Sequence, residues 1–382
     1  MGARPILFCS HVVEWGGAET VLADLLASLD RAQWTPHLAC PGPGPLPDRA
    51  RALGVAVHTV PFGTASPLRK VLGLPRAARA LRRLAAELGA PLLYANTMIA
   101  GYAGVLAQHR GLRCLWHVHI VATAAITRAA ARRAAAVVAP SAAGARAALG
   151  AAFARANVQV VPNGVAPAFF TAPPGALRAR LGLPPDVPLV GIVGRIDPHK
   201  GHEVLLRAFA QLPGSATPAD GLAPHLAIVG GEAFAGSQPR IAGFTDTLRH
   251  LAVELGIADR THFVGHLDQP AAAFADLDVV AVPSTALESA PRAVAEGQAV
   301  GRAVVASALG GVPELIDDGR TGVLVAPGDA PALAAALAGL LRDAPRRMAL
   351  GRAARSHAVA NYDLGVFAAR IAAVCRATVD RT

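Results

Sequence analysis

The chain has 382 residues, 53% of them hydrophobic and 16% charged, with a formal net charge of +10. That length accommodates two ordinary domains, each with its own core, and no apolar run reaches the ~18 residues of a membrane-spanning helix. Aromatic residues make up 4%, too few to interleave the arginines as a stacking platform, so nucleic acid is not an expected partner.

The first segment, MGARPILFCSHVVEWGG, carries a short apolar run broken by His11 and Glu14. It reads as a first β-strand rather than a signal peptide, and the expected location is cytosolic. Further strand-like runs follow: TPHLACPG, VAVHTVPF, PLLYANT, RCLWHVHI, AAVVAPS and NVQVVPN in the first half, then PLVGIVGR, HLAIVGG, THFVGHL, DVVAVPS, AVVAS and GVLVAP. Each is short and nearly all apolar, as in strands buried on both faces of a parallel sheet. Between them lie Ala/Leu/Arg-rich helical stretches, so the expected fold is α/β with doubly wound, Rossmann-like parallel sheets.

The proline-rich stretch from Val165 to Pro188, with one short helix, is the best linker. It implies one domain over 1–166 and a second over 167–361, facing each other across a cleft. The helix 362–382 is expected to cross back to the first domain. Cys9, Cys40, Cys114 and Cys375 lack metal-ligand spacing, so neither a disulfide framework nor a zinc site is expected.

Charge is uneven. Residues 1–190 hold 19 Arg/Lys against 7 Asp/Glu, and residues 191–382 hold 17 against 19. The first half should therefore face something anionic. Its densest patch, Ser66 to Gly89, sets Arg76, Arg79, Arg82 and Arg83 on a helix beside Leu74, Leu81, Leu84 and Leu88. Two readings stay open: a peripheral contact with an anionic membrane, or an amphipathic helix packed on its own sheet.

Two constellations carry chemistry. In GIVGRIDPHKGHEVLLRAFA a buried strand ends at Gly194-Arg195, and Lys200-Gly201 opens a helix. Arg195 and Lys200 would project from the strand's carboxyl end, where open α/β sheets bind ligands. A guanidinium fork and an ammonium point charge suit a leaving diphosphate. Lys200 is one of two lysines among 34 arginines. The plain alternative is a basic surface loop capping a helix.

In ESAPRAVAE, Pro291 at a helix's first position would leave Glu288 in the preceding loop and Glu296 inside the helix, on the order of 10 Å away. That is too far for two carboxylates acting on one bond, but it suits two acceptors gripping an elongated, hydroxyl-rich ligand. Glu296 lies among apolar neighbours, where it needs a partner. Ligand hydroxyls would serve, as would a backbone N–H or a nearby arginine.

GGAET, VPNGV, GRIDPHKG, AIVGGE, VGHLDQ, E-x7-E and GRAVVASALGGVPELIDDGRTGVLVAPGD together resemble the retaining glycosyltransferases of family 4, whose architecture is GT-B. The resemblance runs from Gly16 to about Asp363. It implies a nucleotide-sugar donor, a hydroxyl acceptor and no cofactor or metal. It also implies that Arg195 and Lys200, with Gly194 beside them, hold the donor diphosphate, that Glu296 takes ribose hydroxyls, and that Glu288 contacts the donor sugar with backbone groups from Ser289 and Ala290 onward. Gly16 and Gly17 would lie under the phosphates, and His266 and Leu267 would read the base through their backbone. Such enzymes often carry a histidine where WHVHI ends a first-domain strand. His117 and His119 share a side of that strand by alternation, and His119, nearer its carboxyl end, is favoured for an orienting role at the reacting centre. The acceptor is expected on the basic first domain, lipid-linked or otherwise anionic, at the inner membrane face. One departure stands out: the family often has Phe-Gly after the first glutamate, whereas Ala290-Pro291 follow Ser289 here, and proline donates no N–H.

Asp276-Leu277-Asp278 matches a metal-binding Asp-x-Asp pattern, but it precedes a strand and reads as a helix end with one solvated aspartate. CPGPGPLPD (Cys40 to Asp48) reads as a loop whose prolines remove the N–H groups that cradle phosphate. Two alternatives share the fold: a sugar-nucleotide epimerase, and a non-catalytic nucleotide-sugar binding module.

Overall fold

The computed structural model describes residues 2–62, 67–119, 124–212, 222–232 and 242–380, with only the backbone described over 67–72. The chain divides into two compact units, residues 1–164 with 364–382, and residues 165–363.

In the first unit β1 (Arg4–Cys9), β2 (Trp34–Cys40), β3 (Ala56–Thr59), β4 (Leu92–Ala95), β5 (Arg113–His117), β6 (Ala136–Ala139) and β7 (Val158–Val160) form a parallel sheet in the order β3-β2-β1-β4-β5-β6-β7. The apolar runs form strands because both faces are covered: Leu7, Leu93 and Trp116 pack under one helical layer, Ile6, Phe8 and Tyr94 under the other. The helix Leu364–Asp380 supplies part of the second layer through Phe367, Ile371 and Cys375.

In the second unit β8 (Leu189–Val193), β9 (His225–Val229), β10 (Thr261–Gly265), β11 (Val279–Val282), β12 (Ala303–Ser307) and β13 (Val323–Val325) form a parallel sheet in the order β10-β9-β8-β11-β12-β13. In each unit strand order reverses next to the first strand, between β1 and β4 and between β8 and β11. Loops leaving the carboxyl ends there diverge and open a crevice, the usual ligand position in such sheets.

Several expectations change. Val165 to Pro188 carries two short helices, Pro167–Thr171 and Ala176–Leu181, and is built into the second unit through Phe169 and Leu177. The fastening is Asp276, fully engaged by the backbone N–H groups of Gly175, Leu177 and Arg178. Asp278 pairs with Arg178 at 2.8 Å and accepts from the Leu189 N–H. Neither aspartate is the solvated one expected, because the linker's helix start and its arginine claim both. PLPD is not loop: a helix Pro45–Ala52 begins there, with proline tolerated at its first position.

Ser66 lies outside the described residues, and the amphipathic helix runs Pro67–Leu88. Leu74 and Leu81 are buried in the first unit's core, with Leu84 and Leu88 packed against it. The leucine stripe is therefore committed to the protein's own interior, and only the face bearing Arg76, Arg79, Arg82 and Arg83 is exposed. Among the described residues no helix is long and apolar enough to cross a membrane.

Candidate active site

Lys200 and Glu288 meet where the second sheet's strand order reverses. Asp197, nearly fully buried, caps a single 3-10 turn, Pro198–Lys200, by accepting from the His199 N–H at 3.0 Å. Gly201 then turns with φ +77, and a Cβ there would lie 1.8 Å from the Pro283 carbonyl oxygen. Only glycine lets the β8 loop press so close to the loop leaving β11. The Thr285 N–H donates to the His199 carbonyl at 2.9 Å and joins the two loops. Lys200 Nζ consequently reaches Glu288 Oε1 at 2.6 Å, and the Ser284 hydroxyl donates to the same oxygen at 3.0 Å.

From the other side, Gly310 (φ +61) would bring a Cβ within 2.1 Å of the Glu288 carbonyl oxygen, which accepts from the Gly311 N–H at 3.0 Å. Glu288 is thus gripped through backbone and side chain. Gly201→Ala is expected to lower the stability of the second unit by at least about 2 kcal/mol, the scale of a non-glycine left-handed residue plus a backbone clash. Urea unfolding followed by far-ultraviolet circular dichroism measures it.

Arg195 leaves the end of β8 and pairs with Asp197 at 3.1 Å. Gly194 donates its N–H to the Val229 carbonyl, and Gly230 donates to the Gly265 carbonyl, so the ends of β8, β9 and β10 are laced together. His266, just beyond β10, is exposed and 3.4 Å from Asp268, with Leu267 half-buried beside it. His202, which sequence reasoning passed over, is buried at the start of the helix that follows Lys200. Burial pushes its pKa down to about 4, partly offset by a hydrogen bond to the Asp197 backbone, and its Nδ1 has no partner among the described residues.

Pro291 is the residue before the helix rather than its first position; the helix is Arg292–Ala299. Ser289 is buried and Ala290 half-buried at this entry. Glu296 already has a partner on its own helix. Arg292, one turn earlier, donates to its Oε1 from Nε and a terminal nitrogen, both at 3.0 Å. The local arginine pairing that the sequence left open is present. The geometry therefore brings Lys200 and Glu288 into contact, while Arg195 and Glu296 are each held by a local partner.

In the first unit Gly16 precedes the helix Gly17–Ser28 and accepts from the Thr20 N–H at 2.9 Å. A Cβ at Gly17 would meet no described atom within 4 Å. His119 lies beyond the end of β5, and its ring packs on that of His117 with centroids 3.9 Å apart. His117 is fully buried, with Nδ1 2.6 Å from the Tyr94 hydroxyl. Burial, and then the neighbouring His119, hold its pKa well below the usual imidazole range, so His117 is neutral.

Two further polar groups went unnoticed in the sequence. Asn96, fully buried after β4, donates to the Ala18 carbonyl at 3.0 Å and faces His119 Nε2 at 3.0 Å. Glu19, buried in the first turn of the helix, has a pKa raised to about 7 by burial, partly offset by its own backbone N–H. GGAET announced the loop, but nothing in its letters said that the glutamate turns inward.

These units have the doubly wound sheets of the GT-B nucleotide-sugar enzymes. The model for glycosyl transferases group 1 matches residues 175–357, and that for glycosyltransferase family 4 matches residues 15–169. The chain belongs to the group 1, family 4 glycosyltransferases. A D-inositol 3-phosphate glycosyltransferase of Mycolicibacterium paratuberculosis is 42% identical over 186 residues, 48% of this chain and 39% of the relative. One from Thermomonospora curvata is 44% identical over 202 residues, 50% of this chain and 44% of the relative. The matches thus span less than half the length of these curated relatives. HepE of Anabaena, crystallised with UDP, superposes with a TM-score of 0.80 at 25% identity, covering 98% of this chain and 100% of that one. A glycosyltransferase of Rickettsia africae, at 18% identity, shares the fold with a TM-score of 0.84 and covers all of both chains.

Proposed function

We propose that this protein moves a sugar from a nucleoside-diphosphate sugar to a hydroxyl acceptor with retention at the anomeric carbon. The observation that carries the reading is the Lys200–Glu288 contact at 2.6 Å, with Arg195 on the same β8 loop, at the switch point of the second sheet. Cations that meet a diphosphate there stabilise the charge that develops as it leaves. The bond from the anomeric carbon to the phosphate oxygen breaks while a bond to the acceptor oxygen forms on the same face, and the acceptor's proton passes to the departing phosphate.

Arg195 and Lys200 take the diphosphate, Glu288 with Ser289 and Ala290 the sugar, Glu296 the ribose, and His266 and Leu267 the base. In the first unit, Gly16 and Gly17 serve the phosphates and His119 orients groups at the reacting centre. The two cations supply the positive charge, so the reaction is metal-independent. HepE has been crystallised with UDP and with UDP-glucose, which makes UDP-sugars the first donors to try.

Thermal shift against UDP, GDP, ADP and their glucose conjugates is expected to single out one nucleotide with a rise of several degrees. No rise with any of them would sink the reading. Release of nucleoside diphosphate that requires an acceptor separates transfer from epimerisation, and turnover of any kind separates both from a binding module. The acceptor is lipid-linked or otherwise anionic, and the exposed arginine face of Pro67–Leu88 meets an anionic membrane. Vesicles rich in phosphatidylserine in flotation at low salt are the test; protein left at the bottom rejects this contact.

A further inference from the structure

We propose that Asn96 is the positioning residue that sets the tautomer of His119 and ties that ring to the glycine loop. The inference rests on the reading that His119 acts at the reacting centre. Asn96 is fully buried, and its backbone N–H is held by the Cys9 carbonyl at 2.9 Å, across the point where the first sheet's strand order reverses.

Its side chain lies between two partners of unequal freedom. The Ala18 carbonyl, 3.0 Å from Nδ2, can only accept, so the amide nitrogen must face it. The amide oxygen is thereby turned to His119 Nε2, 3.0 Å away. Two acceptors would repel at that distance, so Nε2 carries the proton, and whenever the ring is neutral Nδ1 is its basic nitrogen.

A second neighbour of the ring agrees. His117 is kept neutral by burial and packs against His119, the rings tilted by 40°, without placing a like charge beside it. Ala18 is the second residue of the helix that follows Gly16. One amide therefore reads the start of that helix and the end of β5 together, and converts the position of the glycine loop into the protonation pattern of a histidine.

Long-range proton–nitrogen correlation spectra of the full chain labelled with 15N-histidine report the tautomer directly, with His119 assigned from the signals lost in His119→Gln. The expected spectrum has His119 as the Nε2–H form. Asn96→Leu, close in volume but unable to bond, is expected to leave a mixture of tautomers. Asn96→Asp puts a carboxylate against Nε2–H and is expected to raise the His119 pKa, followed by its own chemical shifts, by about one pH unit or more.

An Nδ1–H form in the native chain would overturn the assignment, as would a tautomer unmoved in Asn96→Leu that keeps its native melting curve. This readout needs no donor or acceptor, so its failure removes Asn96 alone. Full donor turnover in His119→Ala would instead remove the placement of His119 at the reaction, and the role of Asn96 with it.

Discussion

Lys200→Ala is expected to lower kcat/KM by about 100- to 1,000-fold, the usual loss when one group that stabilises developing charge is removed. It is also expected to weaken binding of the preferred nucleoside diphosphate at least tenfold, as isothermal titration would report. Lys200 is not idle before the donor arrives, because its ammonium is engaged by Glu288 at 2.6 Å. Donor phosphate must therefore compete with, or share, that contact.

The competition gives the two partners opposite signs. Glu288→Gln removes an anion from beside the phosphate and releases the ammonium, so the nucleoside diphosphate should bind at least as tightly as to the native enzyme. Turnover should still fall, because the sugar loses its acceptor. Lys200→Ala does the reverse and leaves a partly buried carboxylate without its cation. Lys200→Arg should not restore the rate, since a planar fork does not occupy the place of a point charge held by one carboxylate oxygen. Equal loss of nucleotide affinity in Lys200→Ala and Glu288→Gln would show that the pair is a structural bridge and sink its role in the reaction.

The strands were legible because burial on both faces writes them as continuous apolar runs, and the order of the loops follows once the strands alternate with helices. The carboxyl-edge positions of Arg195, Lys200 and Glu288 could be read for the same reason. What could not be read is the set of partners each charge takes. Arg292 stands one turn before Glu296, and the spacing allowed the pair without requiring it; the i,i+4 contact forms because both side chains are half-buried on one helix face. One of Asp276 and Asp278 was expected in solvent, but the linker folds back so that its backbone meets Asp276 and Arg178 meets Asp278. Asn96 and Glu19 were invisible for a plainer reason. Asn96 owes its importance to partners distant in sequence and Glu19 to its burial, and a single Asn or Glu after a strand or in a first helical turn is ordinary.

Glu19→Gln is expected to stabilise the first unit at pH 8 by about 3 kcal/mol while changing little near pH 4.5, on the scale of roughly 1.4 kcal/mol per pH unit between the folded and unfolded pKa values. The sign follows from the raised pKa, about 7 in the folded protein against 4.5 for an unperturbed glutamate. Below 4.5 the group is protonated whether the chain is folded or not, so it makes no difference to folding. As pH rises through the interval the unfolded chain releases its proton first, and the folded chain must either keep the proton or bury a charge. Stability falls until about pH 7 and then levels off.

The amide has no proton to lose, so the variant should escape the loss altogether. A hydrogen bond from its own backbone N–H favours the ionised form, yet burial outweighs it and the pKa is raised. Calorimetry of both chains across pH 4.5 to 8 should therefore give melting curves that coincide at the acid end and separate by several degrees at the alkaline end, with the gap opening before pH 7. A constant gap would mean that the substitution acts through packing alone, and that the carboxylate is charged and satisfied at every pH.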